Sequence, residues 1–136
     1  MRARVLPIVL AVYAVFIVAI IVAANLGGTN EVFHLITRLP LGDKIGHFVL
    51  IGVLGMLVDL VAGRRDARPL RAYPRLRFPL APAILFVVVL GEELSQAFLP
   101  TRTCDAGDLL ADLLGMATFV GIGRLLAASS VRQRCA

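Results

Sequence analysis

Four apolar runs, each about as long as a membrane-spanning helix, make up most of this 136-residue chain. Their approximate bounds are residues 5–25, 45–62, 78–99 and 106–128. A helix needs roughly 20 apolar residues to cross the hydrocarbon core of a bilayer, so four of them leave no length for a separate soluble domain. Composition agrees, because only 17% of the residues are charged, against about 25% in soluble domains. The sequence therefore predicts one all-α membrane domain over residues 1–136, a bundle of four transmembrane helices, and excludes a soluble globular or disulfide-rich fold.

The first run has an alternative interpretation as a cleavable secretory signal, because Val22 and Ala24 would suit a cleavage site. Its apolar stretch is about 20 residues long, whereas signal peptides carry about 7–15 apolar residues. This length favours a helix that stays in the protein.

Arginines determine the predicted orientation. All but one of the 14 basic residues are Arg, and six of them lie in the loop of residues 63–77. The positive-inside rule places this loop in the cytoplasm, and both basic termini then fall on the same side. The prediction is a multi-pass protein of the inner (cytoplasmic) membrane with both termini cytoplasmic, in which Cys104 lies outside and Cys135 inside. The net charge of +5 is thereby assigned to topology, and no nucleic-acid partner is expected.

The first outer loop, residues 26–44, contains more apolar residues than a plain linker needs. They are Val32, Phe33, Leu35, Ile36 and Leu39. Such a segment is typical of a short amphipathic helix that lies in the membrane interface, and we expect one here.

Ionisable residues concentrate near the outer ends of the second, third and fourth runs. At a rise of 1.5 Å per residue, Glu93 and Asp112 both lie about 10 Å below the outer surface. An ionised side chain at membrane depth costs about 2.5–3.5 kcal/mol on insertion scales, so such residues usually face a partner or a hydrated cavity. We therefore expect a polar pocket open to the extracytoplasmic side. Its predicted members are Asp43, Lys44, His47, Glu93, Gln96, Arg102, Asp105, Asp108 and Asp112.

Several of these residues also have structural interpretations. Asp43 and Asp105 are well placed as N-caps of the second and fourth helices, and Asp108 would complete a capping box with Asp105. His47 could be a hydrogen-bonded packing residue.

One acidic residue lies at the other end of the predicted bundle. Asp59 is close to the cytoplasmic end of the second run, directly before the basic loop. We expect it to pair with Arg64 or Arg65, which is a structural role.

The polar residues also form a recognisable pattern. The segment Asp43-Lys44-Ile45-Gly46-His47-Phe48 resembles the D-K-x-x-H-F signature of the VanZ-like family of small integral membrane proteins. The later stretch GEELSQAFLPTRTCDAGDLLADLLG resembles that family's second block, which runs E-x-x-Q, P-x-R, D-x-x-D, and then N or D three residues before G. The matching positions are Glu93, Gln96, Pro100, Arg102, Asp105, Asp108, Asp112 and Gly115. The resemblance extends over residues 43–123, and it departs from many relatives at Asp112, where they carry Asn.

The resemblance implies a four-helix membrane protein of the bacterial cell envelope. It also implies a possible connection with glycopeptide resistance, because the founding member of the family is associated with low-level resistance to teicoplanin.

Three functions remain open from the sequence. In the first, the pocket binds the headgroup of an envelope lipid, a glycolipid or a lipid-linked envelope precursor, with Lys44, Arg102 and His47 facing a phosphate or carboxylate. In the second, the protein is a membrane-embedded enzyme that modifies a lipid with Glu93, Asp108 or His47 as general acid or base. In the third, it is an accessory subunit whose polar cluster only holds the helices together.

The sequence carries no diagnostic metal motif. A divalent cation held by Glu93, Asp108 and Asp112 is chemically conceivable, but the spacing is not that of a known site, and neither a metal nor a cofactor is predicted. The sequence predicts no oligomeric state.

Overall fold

The computed structural model describes residues 2–26, 41–67, 78–99 and 104–132. These contain four helices, and the predicted all-helical architecture is confirmed. The helices are α1 (Arg2–Asn25), α2 (Gly42–Val61), α3 (Leu80–Gln96) and α4 (Ala106–Arg132). Two strands of two residues each, β1 (Asp66–Ala67) and β2 (Phe78–Pro79), form an antiparallel pair. The predicted interfacial helix falls almost entirely outside the described residues.

Three helices are long and apolar enough to cross a membrane. The spanning segments are Val5–Asn25, Gly42–Val61 and Ala106–Ser129. The fourth, α3, has 17 residues and is shorter than the predicted run of 78–99. The first two residues of that run form β2 instead and pair with β1, with Pro79 opposite Asp66 and Phe78 opposite Ala67.

Helix α1 presents most of its side chains outward. Val12 and Val15 are 66% and 70% exposed, as expected for residues that face lipid tails, while Ile17 is buried. In hydrocarbon every backbone group must be satisfied within the segment, so this run of β-branched residues adopts a helix. The Tyr13 hydroxyl donates a hydrogen bond to the Leu50 carbonyl oxygen at 3.1 Å and connects α1 to α2.

The core lies where the four helices meet. Its buried members are Ile17, Ile51, Val89 and Met116, so each helix contributes one residue. This shared contact fixes the four helices around one centre.

Helices α2 and α4 pack most closely, through glycines. A Cβ atom at Gly115 would collide with the Phe48 carbonyl oxygen, and a Cβ at Gly52 would lie 2.9 Å from the Gly115 carbonyl carbon. Next to this contact, the rings of Phe48 and Phe119 meet edge to face with centroids 5.9 Å apart. Small residues allow this close approach of two helices in a membrane, and the approach brings the polar side chains of α2 and α4 within reach of one another.

The starts of α2 and α4 contradict two of the three capping predictions. Asp43 is not the N-cap of α2, because that position is Leu41, with φ of 67° and no capping side chain, and Asp43 lies within the first turn. Asp105 does cap α4, since its Oδ1 accepts a hydrogen bond from the Gly107 amide at 2.7 Å. The capping box is wrong, because the Asp105 amide donates to Glu93 Oε1 at 2.7 Å rather than to Asp108.

The prediction that Asp59 pairs with Arg64 or Arg65 is also wrong. Its carboxylate accepts two hydrogen bonds of 2.8 Å from the guanidinium of Arg124 in α4, and the same guanidinium contacts Asp66 at 2.6 Å. The Asp59 side chain is only 2% exposed because it faces α4. Arg64 lies beyond the end of α2, with φ of 57°, and does not form this pair.

Candidate functional site

Polar side chains gather where α2 and α4 begin and α3 ends, which we call the polar end of the protein. Four of them are almost fully buried: Glu93 and Gln96 on α3, and Asp108 and Asp112 on α4, with exposures of 1–6%. A buried charge is costly unless it is paired or hydrogen-bonded. The partners of these groups therefore decide what the polar end can bind.

Lys44 connects the start of α2 to the start of α4. Its Nζ donates to Asp108 Oδ1 at 2.9 Å and forms a second, shorter ion pair with Asp105. The Lys44 ammonium, and next the Gly107 amide, hold the pKa of the Asp105 carboxyl below its ordinary value. The ammonium of Lys44 is thus already engaged by two carboxylates of the same protein.

His47 pairs with a buried carboxylate on α4. Its Nδ1 lies 3.1 Å from Asp112 Oδ1, and the Asp112 side chain is 1% exposed. A carboxylate oxygen can only accept a hydrogen bond, so the Nδ1 of His47 is the donor in this contact. Asp112 therefore fixes the orientation of the His47 ring.

Glu93 connects the end of α3 to the segment before α4. Its Oε1 accepts the Asp105 amide, and its Oε2 accepts Gln96 Nε2 at 3.2 Å. The same Gln96 nitrogen donates to Glu92 Oε2 at 2.9 Å. Both carboxylate oxygens of Glu93 thus accept hydrogen bonds from the protein.

A set of potential metal ligands lies beside these pairs. Asp43, His47 and Asp108 each offer a ligand atom, and these atoms all lie within 4.8 Å of one another. Two carboxylates and an imidazole are ligands that divalent cations accept. Asp108 is also held by Lys44, which places a competing positive charge at the same carboxylate.

A cavity of about 380 Å³ runs between α1, α2 and α3 and ends at the polar end. Its walls are mainly apolar. They include Ala14, Ile17, Ile21, Ala24, Leu50, Ile51, Leu54, Leu85, Val88 and Val89. The ionisable residues that line it are Asp43, His47, Glu92 and Asp112. This is an amphipathic space, of the size of small-molecule pockets, which run from about 300 to 1,000 Å³.

The structure places the predicted site residues in two connected groups. In the first group, Lys44 contacts Asp105 and Asp108, and His47 contacts Asp112. Asp43 belongs to the same group, because its carboxylate lies within 4.8 Å of ligand atoms of His47 and Asp108. Glu93 and Gln96 form the second group and reach the first through the Asp105 amide. Arg102 lies outside the described residues.

One residue of the polar end was missing from the predicted site. Glu92 lines the cavity and shares the Gln96 nitrogen with Glu93. The i,i+4 spacing of Glu92 and Gln96 was the available signal, but only the rotation of α3 decides that both adjacent glutamates point inward.

Comparison with known proteins identifies the family of this chain. No curated protein and no solved structure shows significant similarity to the chain. Residues 5–127 match the profile of the VanZ/LLP1 family, a range that contains the first three apolar runs, all but the last residue of the fourth, and both polar motifs. The resemblance expected from those motifs is confirmed, and the chain belongs to the VanZ/LLP1 family.

Proposed function

We propose that this VanZ-like membrane protein binds a lipid of the bacterial cell envelope, with the headgroup at the polar end and one hydrocarbon chain in the cavity. The observation that carries the proposal is the cavity itself, whose apolar walls lead to the charged residues Asp43, His47, Glu92 and Asp112. A lipid has the same division into an apolar chain and a polar head. A glycolipid or a lipid-linked precursor would fit for the same reason.

The proposal includes a topology. All four helices cross the inner membrane, both termini are cytoplasmic, and the polar end is extracytoplasmic. The support is the concentration of arginines in residues 63–77, because basic loops are retained in the cytoplasm.

Thiol labelling tests this topology. Cys104 is exposed beside the start of α4, so an impermeant reagent should label it in spheroplasts, whereas Cys135 should react only after permeabilisation. The reverse pattern would contradict the orientation and move the site to the cytoplasmic face.

Lipid binding is tested with two alanines of α1. Ala14 lines the cavity, and Ala11 is exposed and does not. Native mass spectrometry of the purified protein should show co-purified lipid on the parent and on Ala11→Phe, and loss of it on Ala14→Phe. Equal lipid occupancy of the two variants would contradict binding in the cavity.

The family suggests a physiological test. A strain lacking the protein should change its sensitivity to teicoplanin-type glycopeptides, and Ala14→Phe should fail to restore the parent phenotype where Ala11→Phe succeeds. An equal restoration by both variants would separate any resistance role from the cavity.

A lipid-modifying enzyme is the second candidate, and one pair of residues favours it. Asp112 orients His47 through Nδ1, so that Nε2 is the nitrogen that would exchange a proton with a substrate as general acid or base. Incubation with bacterial lipid extract should then release a product that His47→Gln does not release. Glu93 and Asp108 are weaker candidates for the base, because protein donors already occupy them.

A further inference from the structure

The polar end of the cavity presents hydrogen-bond acceptors. Its lining includes three carboxyl groups, Asp43, Glu92 and Asp112, and one imidazole. His47 contacts Asp112 Oδ1 through its Nδ1 at 3.1 Å. Among the described lining residues there is no lysine or arginine.

One of these acceptors is buried without a donor. Glu92 Oε2 receives a hydrogen bond from Gln96, whereas Glu92 Oε1 is buried and has no hydrogen-bond partner among the described residues. An unpaired buried polar atom is unfavourable, and the cost is greater for a charged group. A ligand that donates to this oxygen would remove the cost.

Lys44, the lysine of the polar end, is not among the residues that line the cavity. The Lys44 ammonium is engaged by Asp105 and Asp108, on the α4 side of α2. The first turn of α2 contributes amides that favour an anion, but Asp43 lies in that turn and itself supplies the negative charge. Coulomb interactions are strong where water is scarce, so the carboxyl groups at the polar end of the cavity favour a positively charged headgroup.

We infer that the cavity selects amphiphiles whose headgroup carries a primary ammonium, which donates hydrogen bonds to Glu92 and to the neighbouring acceptors. This inference rests on the proposed lipid-binding function and names the headgroup class for it. A primary ammonium meets both requirements of the site, a positive charge and several N–H donors on one compact group. A quaternary ammonium meets only the first, and a sugar hydroxyl only the second.

The test uses amphiphiles with one chain and different heads. Dodecylammonium, dodecyltrimethylammonium, dodecyl glucoside and dodecyl phosphate are titrated by native mass spectrometry against the protein in a neutral polyoxyethylene detergent. Dodecylammonium should bind about tenfold more tightly than the other three, the scale of one hydrogen bond to a charged group. Equal binding of the trimethylammonium compound, or tighter binding of the glucoside or the phosphate, would overturn the inference. If Ala14→Phe leaves the binding of all four unchanged, the proposed cavity site itself is wrong.

Two variants with the same charge change isolate the role of Glu92. Glu92→Gln should abolish the preference for dodecylammonium while dodecyl glucoside still binds. Asp66→Asn removes one negative charge outside the cavity lining and should keep the preference. If both variants keep the preference for dodecylammonium, Glu92 does not determine which headgroup binds.

Matched natural lipids identify the source of the amine. Phosphatidylethanolamine and a glucosaminyl lipid of the same acyl chains distinguish a phospholipid from an aminosugar ligand. Preference for either over phosphatidylglycerol supports the inference, and preference for phosphatidylglycerol over both overturns it.

Discussion

Asp112, which is 1% exposed, accepts a hydrogen bond from the Nδ1 of His47 across 3.1 Å and thereby holds α4 against α2. Asp112→Asn should lower the free energy of unfolding by only about 1 kcal/mol, because an amide oxygen can still accept the imidazole proton. Asp112→Leu should cost about 2–3 kcal/mol, because it leaves the imidazole donor without a partner. Thermal unfolding in detergent measures both, and equal losses would contradict a role for the hydrogen bond.

The ion pair of Asp59 and Arg124, at the opposite end of the protein, should contribute more to the free energy of unfolding than the contact of Asp112 with His47. Asp59→Ala should destabilise the protein by about 3 kcal/mol, because it removes the partner of a charge at a buried contact. Asp66→Asn is the control, since Asp66 is 29% exposed and Arg124 keeps its two bonds to Asp59. Its effect should stay below about 1 kcal/mol. Similar melting temperatures for the two variants would show that the ion pair contributes little.

The glycine contact between α2 and α4 can be tested with one methyl group. Gly115→Ala should force the helices apart and cost at least about 2 kcal/mol, because its Cβ meets the Phe48 backbone and overpacking strains a close contact. Gly121→Ala, in the same helix, has nothing within 4 Å of its Cβ and should leave the melting temperature unchanged or slightly higher. A stable Gly115→Ala protein would disprove the close approach.

Adjacent glutamates on α3 should respond differently to the same substitution. Glu93→Gln should destabilise by about 1–3 kcal/mol, because the new amide nitrogen must face one of two donors, the Asp105 amide or the Gln96 side chain. Glu92→Gln should have a smaller effect on stability, because Oε1 has no hydrogen bond to lose among the described residues and the new amide oxygen can still accept the Gln96 nitrogen in place of Oε2. Melting curves of the two variants check this, and the opposite order would reverse the roles assigned to them.

The helical architecture was predictable from the sequence because it depends on local composition. A run of apolar residues long enough to cross a bilayer has to satisfy its own backbone hydrogen bonds, and a helix does so within one segment. The polar residues of the site were predictable for a related reason, since charge inside an apolar run is costly. Asp105 as a cap of α4 follows from its position directly before the helix.

The partners of those residues were not predictable, because they depend on how each helix is rotated about its axis. Asp59 pairs with Arg124, 65 positions away, rather than with the arginines that follow it in the chain. The close glycine contact of α2 and α4 makes that pair and the two ion pairs of Lys44 possible. The rotation of α3 turns Glu92 into the cavity beside His47. The sequence alone determined which segments are apolar enough to form helices in a membrane and which charges they carry. Only the packing of the helices decided which charges pair with one another, and that Glu92 Oε1 has no donor among the described residues. Pairing depends on distances between segments, which no local sequence pattern encodes.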